Sequence, residues 1–366
     1  MKVSNRNTKK KKENDMKKAI SLLLAVVMIF ALCACGSSTS ATTSDSSTAT
    51  SETASSTTSS TEPEYSWKLA MPFNEGSSTY DAAKVFADTL EEVSGGKVHV
   101  DLYPGSQLGT SEEVEEGLAY GTCDVVFESI ASLGNWSDLA NLDAYPYLYS
   151  SLDHFLAVWQ GELGDQIREE IGASNDFKLI GALYRGARIV TSTKELDCLA
   201  DFKNFKIRTP TQAMYVKTWE ALGAMSTPLP MSDVFTAIQQ GTVDGQENPI
   251  AESYNYGFYD ICPYVIKTNH VYSQCTFIFN KTKFDALPEE VQGWVEEAVK
   301  AAEDYKNTYT VTEEAEYYAK WEEAGATIIE VDVHEFMDAL STFCEDNFPQ
   351  FTEYVAQIKA LDPDAA

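Results

Sequence analysis

The sequence predicts an α/β fold, and three observations carry that reading. Twice, over residues 67–127 and 205–249, the pattern runs strand, helix, strand, helix, strand, the order of a parallel α/β unit. A long, highly charged helical pattern opens late, at Leu287-Pro288-Glu289-Glu290, and continues with interruptions to Ala324. The chain has 366 residues, 44% of them hydrophobic, enough for two domains with cores of their own.

In the first unit Trp67–Met71 reads as a strand and Pro72–Ser78 as a loop. A helix over Thr79–Val93 puts Ala83, Phe86, Ala87 and Leu90 on one face, and Gly95-Gly96 ends it. Val98, Val100 and Leu102 alternate as a strand closed by Pro104-Gly105. Thr110 and Glu113 have capping-box spacing for the next helix, Gly121 stops it, and Asp124–Phe127 is a buried strand. Lys178–Tyr184 and Arg188–Thr191 read as two strands around Gly186, the expected crossing to a second half. Val265–Val271 and Thr276–Asn280 read as the return.

In the second unit Lys206–Thr209 is a strand stopped by Pro210, which cannot continue a ladder. Ala213–Leu222 reads as a helix capped by Gly223, and Ser226–Leu229 as an extended piece. Ser232-Asp233 opens a helix with an acid in its first turn, and Gly241 ends it. Val243 leads into the polar run Asp244-Gly245-Gln246-Glu247-Asn248-Pro249. Ile328–Val331 is a late strand, and Phe336–Lys359 is mainly helical.

The N-terminus reads as a targeting segment. Lys17-Lys18 precedes the apolar run Ala19–Leu32, too short for a comfortable membrane span. Leu32-Cys33-Ala34-Cys35-Gly36 resembles a bacterial lipobox, with cleavage after Ala34 and acylation of Cys35. A plain cleaved signal or a membrane anchor stays open as an alternative. Met16-Lys17-Lys18 has the look of a signal-peptide start, so residues 1–15 are expected to lie upstream of the true one. From Ser37 to Glu64, 20 of 28 residues are Ser or Thr, which leaves little to bury and predicts a flexible tether reaching roughly 30 Å.

Composition excludes several function classes. Residues 1–34 hold eight Lys/Arg and two acids, leaving 19 cations against 54 acids and a charge of −35. Neither nucleic acid nor an anionic membrane surface suits such a chain. An anionic small molecule does, because the Debye length is about 8 Å and a local arginine outweighs distant acids. Cys123, Cys198, Cys262, Cys275 and Cys344 follow Cys35, an odd number without metal-like spacing; free thiols are expected, with Cys262 and Cys275 the least remote pair. There is no nucleophile elbow, phosphate loop, dinucleotide fingerprint or His-Glu-x-x-His, and His99, His154, His270 and His334 are isolated. The chain therefore reads as no enzyme, with no cofactor and no metal site. From Cys35 onward it holds four arginines, and Arg185, Arg188 and Arg208 fall within 24 residues. An arginine at the carboxyl end of a strand sits where open α/β sheets bind ligands, and its guanidinium suits a carboxylate. The alternative is surface arginines pairing within an acidic protein.

Ile207-Arg208-Thr209-Pro210, Leu222-Gly223-Ala224, Thr227-Pro228-Leu229, Ile238-Gln239-Gln240-Gly241 and Val243–Pro249, in this order and spacing, closely resemble the substrate-binding proteins of TRAP transporters (tripartite ATP-independent periplasmic transporters). Ser106-Gln107-Leu108-Gly109 and Tyr145-Pro146-Tyr147-Leu148 extend the resemblance toward Trp67. It implies a two-lobe periplasmic-binding-protein-like fold, with hinge strands and a long helix spanning both lobes, that closes on a small organic acid. Lobe I would comprise 65–185 with about 274–314, and lobe II about 186–273 with 315–366. Arg208 matches the family arginine that takes the ligand carboxylate, Arg188 a second arginine near the ligand, and Asn248 an asparagine that helps hold the carboxylate. Glu128 resembles an acid that meets polar groups in some members; a helix-start or rim acid is its other reading. The loop at Asn74–Ser78 is a further contact candidate. Met231 stands where the family commonly has an aromatic residue, either without consequence or because the body of the ligand differs. The implied partners are the small and large TRAP membrane subunits, and the implied location is the outer face of a Gram-positive-type membrane, held by the lipid. A lipoprotein serving an ATP-driven importer or a sensor, and a surface lipoprotein without a transport role, remain as alternatives.

Overall fold

The computed structural model describes residues 62–363; the leader, Cys35 and most of the Ser/Thr segment lie outside the described residues. All the described strands join one sheet: β1 (Tyr65–Ala70), β2 (Val98–Tyr103), β3 (Val125–Glu128), β4 (Phe177–Ser192), β5 (Lys206–Thr209), β6 (Met225–Pro228), β7 (Gly245–Pro249), β8 (Tyr264–Asn280) and β9 (Thr327–Glu330). Its order is β2-β1-β3-β8-β4-β7-β5-β6, with β9 on β8. Strand β4 runs antiparallel to β8 along nearly all of its length. The other edge of β8 is shared, β3 taking residues 276–279 and β9 residues 264–267. Two parallel β-α-β-α-β halves are thus joined through one pair of long strands.

Helix α1 (Ser78–Val93) buries Ala82, Ala83, Phe86, Ala87 and Leu90, the apolar face read from the sequence. Helix α2 (Ser111–Tyr120) starts at the expected capping box: Thr110 Oγ1 accepts from the Glu113 amide, and Glu113 Oε2 accepts from the Thr110 amide at 2.8 Å. Two 3-10 turns, 130–135 and 138–144, and helices α3 (Leu152–Trp159) and α4 (Glu162–Ala173) complete this half. In the second half α5 (Ala213–Ala221) and α6 (Met231–Gln239) alternate with β5, β6 and β7, and α7 (Ile250–Asn255) follows. Short helix α8 (Lys281–Asp285) leads into α9 (Glu289–Glu323), 35 residues and about 52 Å long.

The two ends of α9 bury different cores. Val291, Val295, Ala298 and Val299 pack with Phe86, Phe127 and Phe277, whereas Tyr317 and Trp321 pack with Ile189, Ile250 and Phe258. Its middle is polar, and that polarity is used. Register shifts in the β4–β8 ladder fall at Ile180/Leu183, Tyr184/Gly186 and Arg188/Val190. Glycines with positive φ, Gly181 (+87°) and Gly186 (+109°), stand at the first two. Such bulges leave backbone groups without ladder partners. Side chains at 303, 307, 310 and 314, one face of α9 by their spacing, supply them. Glu303 Oε1 accepts from the Ala182 amide (2.7 Å), Asn307 Oδ1 from the Tyr184 amide (2.6 Å) and Glu314 Oε1 from the Ala187 amide (2.8 Å). Thr310 Oγ1 donates to the Tyr184 carbonyl (2.9 Å). Around the helix, buried Lys306 and Glu313 join Ser78 of α1, and Thr79 bonds Glu252 of α7.

Three expectations need correction. Residues 177–192 and 264–280 are each one continuous strand; in 177–192, side chains of α9 satisfy backbone groups released around Gly186. Helix α9 is likewise uninterrupted. The polar run after Val243 is itself a strand, β7, wholly buried because its side chains find polar partners. Residues 336–359 are mainly helical, as read, in three short helices, α10 (Val333–Ala339), α11 (Phe343–Asn347) and α12 (Thr352–Ala360), with a 3-10 turn at Pro349 before the last. The five described cysteines are free, all buried except half-buried Cys198.

Substituting Asn307→Ala strands the buried Tyr184 amide. It is expected to lower the unfolding free energy by about 1–3 kcal/mol in a urea titration. A loss no larger than that of Lys300→Ala, on the exposed face of α9, would show that the stripe does not hold the strand.

Candidate functional site

A cavity of about 210 Å³ opens where the carboxyl ends of the strands of both halves meet. Five of the six ligand candidates line it: Arg208, Arg188, Asn248, Glu128 and Met231. Asn74 does not. It lines an adjoining cavity of about 180 Å³ that shares Pro72, Ser106, Met231, Ser232 and Tyr256 with the first. Its Nδ2 donates to the Asn255 carbonyl (3.2 Å), tying the loop after β1 to the end of α7.

Arg208 occupies the third position of the four-residue strand β5, just before Pro210. Its Nε and Nη2 both donate to the Leu229 carbonyl, at 2.9 and 2.6 Å, which fixes one edge of the guanidinium. Only 4% of the residue is exposed, and among the described residues no carboxylate lies within ion-pair distance. Burial draws its pKa down to about 10, and the like charge of Arg188 acts in the same sense; Glu247 opposes both without overcoming them.

Arg188 is buried as deeply but already paired. Its Nε donates to Glu247 Oε2 (2.5 Å) and its Nη2 to Glu247 Oε1 (2.7 Å), the bidentate arrangement that matches a guanidinium to a carboxylate. Tyr215 lies over it, ring centroid 4.8 Å from Cζ. His270 Nε2 is 3.0 Å from Glu247 Oε2. Burial by itself would raise the Glu247 pKa; Arg188 outweighs it and holds the carboxyl near 2. Burial keeps His270 below its ordinary value and hence neutral.

Asn248 Nδ2 donates to Gln246 Oε1 (2.8 Å) and sits 3.8 Å from Met231 Sδ. Gln246 is held in turn, its Nε2 donating to Thr191 Oγ1 (2.8 Å) and Ser253 Oγ (3.1 Å). Glu128 ends β3, immediately before Ser129, which starts the 3-10 turn over 130–135. Its Oε1 accepts from the Ser129 amide (2.7 Å) and its Oε2 from Ser111 Oγ (2.8 Å). Burial raises its pKa, with Arg185 the chief opposing influence. The halves touch across the cavity, where Gln212 Nε2 donates to the Ser132 carbonyl at 3.2 Å. Among the described residues no group of three or more metal-ligating side chains converges, and no helix is long and apolar enough to cross a membrane.

Sequence reasoning left Arg185, Tyr215, Tyr256 and Gln212 out of the site. A signal for Arg185 existed, the clustering of arginines. The tyrosines and Gln212 carry no local signature and arrive through the pairing of halves.

A profile of the bacterial extracellular solute-binding proteins, family 7, matches residues 69–349. The chain belongs to this family. A solute-binding protein of Roseobacter denitrificans is 34% identical over 276 residues, 75% of this chain and 85% of that protein. The sialic acid-binding periplasmic protein of Vibrio cholerae is 29% identical over 273 residues, with the same coverage. Among solved structures, a TRAP periplasmic solute binding protein from Roseobacter denitrificans with bound L-galactonate has a TM-score of 0.78 and 32% identity, over 82% of this chain and all of that one. Another, from Xanthobacter autotrophicus with bound β-D-galacturonate, has a TM-score of 0.76 and 26% identity, over 80% and 99% of the two chains. This family 7 protein is an extracytoplasmic solute-binding receptor of TRAP-type uptake, not an enzyme, and its periplasmic-binding-protein-like fold carries one long helix, α9, against both halves.

Because its folded pKa is depressed, Glu247 stabilises the protein fully above its ordinary value of 4.5, and the contribution is lost as pH falls through about 2. Glu247→Gln is expected to be less stable than the parent by roughly 3–5 kcal/mol at pH 6, with the gap narrowing toward pH 2. Denaturant titrations across that range check it; a gap independent of pH would mean that the ion pair is not its source.

Proposed function

We propose that this family 7 receptor holds the carboxylate of a small organic acid on Arg208, assisted by Asn248, and hands the acid to small and large TRAP membrane subunits for ion-coupled uptake. The observation that carries the anchor is Arg208 itself: a buried guanidinium, turned by the Leu229 carbonyl, with no acid to neutralise it. A buried cation short of a partner is costly, and a ligand carboxylate relieves that cost through charge-assisted hydrogen bonds worth about 1.5–3 kcal/mol each. The relative bound to L-galactonate supports a carboxylate ligand.

Arg188 takes a different role from Arg208. Its charge is spent on Glu247, so it forms a rigid wall beneath Tyr215 and adds a weaker positive field to the cavity. Glu128 and Met231 border the body of the ligand, and Asn74 the mouth of the adjoining cavity. The lobes are 65–185 with about 274–314 and about 186–273 with 315–366, and they close about the crossing strands. Upstream, the lipobox-like Leu32-Cys33-Ala34-Cys35 supports acylation at Cys35, and the Ser/Thr segment a tether that lets the receptor reorient at the outer membrane face.

A thermal-shift screen against organic acids, with Arg208→Ala beside the parent, tests the anchor. An acid at a hundred times its dissociation constant is expected to stabilise the parent by about 2.7 kcal/mol and to leave the variant unmoved. Equal shifts in both proteins would remove Arg208 from the site. For the tether, Cys35→Ser is expected to release the protein from the membrane fraction of the producing cell. Continued membrane retention would point to anchoring by an uncleaved leader instead.

A further inference from the structure

Behind the wall of the cavity lies a carboxyl group that the site itself does not use. Glu115, midway along α2, is fully buried. Its Oε1 is 2.5 Å from Ser132 Oγ, and its Oε2 accepts from Trp136 Nε1 at 2.7 Å. Ser132 sits inside the 3-10 turn over 130–135 and Trp136 caps the end of it, so one carboxyl clamps the turn at two points. Ser129, Ala131 and Ser132 line the cavity, and the Ser132 carbonyl is the acceptor that Gln212 reaches from the other half.

The hydrogen bonds decide which form Glu115 takes. Ser132 Oγ also lies 2.8 Å from the Ser129 carbonyl, which can only accept. A hydroxyl has one proton, so Ser132 cannot donate to both oxygens. An ionised Glu115 would leave one of these two close contacts without a proton. With a proton on Glu115 Oε1, the acid donates to Ser132, Ser132 donates to Ser129, and Oε2 still accepts from Trp136. Every group is then satisfied. Electrostatics act in the same sense. The charged groups that bear on Glu115 are Glu128, at the end of β3, and Glu112 of its own helix, both acidic, and the turn carries no charged side chain. Burial pushes the carboxyl up to about 8; the two acids add to the push, and the hydrogen bonds with Ser132 and Trp136 oppose it only in part.

We propose that Glu115 is a positioning residue, a neutral acid that clamps the 130–135 turn in the shape that meets Gln212, and that loss of its proton weakens the receptor's hold on an anionic ligand. Ionisation leaves the Ser132 hydroxyl with two oxygens to satisfy. It also puts a negative charge one side chain behind the cavity wall, on the same side as Glu128. By linkage a bound anion favours the protonated form, so affinity declines as the proton leaves. The effect on affinity rests on the organic anion proposed above; the proton on Glu115 does not.

The test begins without ligand. In the full protein carrying isotope-labelled tryptophan, the Trp136 indole resonance is identified by its loss in Trp136→Phe. It is expected to titrate with a midpoint near pH 8 and to stay in place in Glu115→Gln, whose amide donates to Ser132 and accepts from Trp136 as the neutral acid does. A carboxyl whose folded pKa is raised keeps a proton that the unfolded chain releases, so it costs the parent stability as pH climbs from 4.5 toward 8. Denaturant titrations are expected to show Glu115→Gln gaining on the parent across that window, the ratio of their unfolding constants growing by up to about tenfold per pH unit. An indole that titrates in the ordinary carboxylate range, or a Glu115→Gln variant less stable than the parent by the same amount at every pH, overturns the proposal. If that variant does not fold, the titration of the parent decides alone. Calorimetric titration with L-galactonate from pH 6 to pH 9 follows. Affinity is expected to fall by about threefold or more in the parent and to stay level in Glu115→Gln. An equal fall in both overturns the link between proton and ligand. Binding at no pH overturns the carboxylate anchor and the link with it, and the measurements without ligand still decide the proton.

Discussion

A strand that runs through both halves of a two-lobed protein has to bend, and bending frees backbone groups that burial does not forgive. Strands β4 and β8 meet this problem at three register shifts. The answer lies on the helix that crosses them: Glu303, Asn307, Thr310 and Glu314 receive or supply the hydrogen bonds that the ladder drops. Most of the remaining architecture depends on this exchange. It holds α9 against β4, lets the two ends of α9 enter separate cores, and fixes the strand on which Arg185 and Arg188 are carried. Because side chains rather than a neighbouring strand satisfy the bulged segment, its geometry can change with fewer ladder bonds broken. That is a reasonable physical basis for a hinge in this segment.

The site is organised by a division of labour among three arginines. Arg188 is neutralised within the protein by Glu247, which is itself braced by His270. Arg208 and Arg185 are held by neutral acceptors, a carbonyl and a hydroxyl, that orient a guanidinium without cancelling its charge. One salt bridge gives rigidity, and two unmatched cations give an appetite for an anion and its oxygens. Strand β7 serves both ends. Glu247 closes the internal pair, while the next residue, Asn248, turned by Gln246, reaches the cavity.

Much of this was legible in the sequence, for identifiable reasons. The Thr110–Glu113 capping box, the apolar face of α1 and the stop at Pro210 are local, and each stands as read. The 205–249 unit was legible because its turns and caps follow one another at short range. Gly186 misled, since a positive-φ glycine looks like a strand end when the helix that repairs the bulge lies more than a hundred residues away. Strand β7 was hidden by its polarity: Gln246, Glu247 and Asn248 read only as a polar run after Val243 until Thr191, Arg188 and Ser253 are placed around them. Among the site residues, Arg208 announces itself by its strand end. The commitment of Arg188 and the freedom of Arg185 depend on which arginine meets Glu247, a fact of register that no local pattern carries.

The buried cations also bear on how quickly an acid is captured. The whole chain carries a net charge of −29, so a ligand anion approaches through a repulsive outer field before it meets the positive interior. Dissolved salt screens the outer field over a distance of about 8 Å at physiological strength, but it reaches the enclosed guanidinium groups far less. Added ions therefore weaken the outer repulsion more than they weaken the attraction of the enclosed guanidinium groups. A receptor built this way discriminates little against salty surroundings, and its encounter rate is set by its skin while its grip is set by its core.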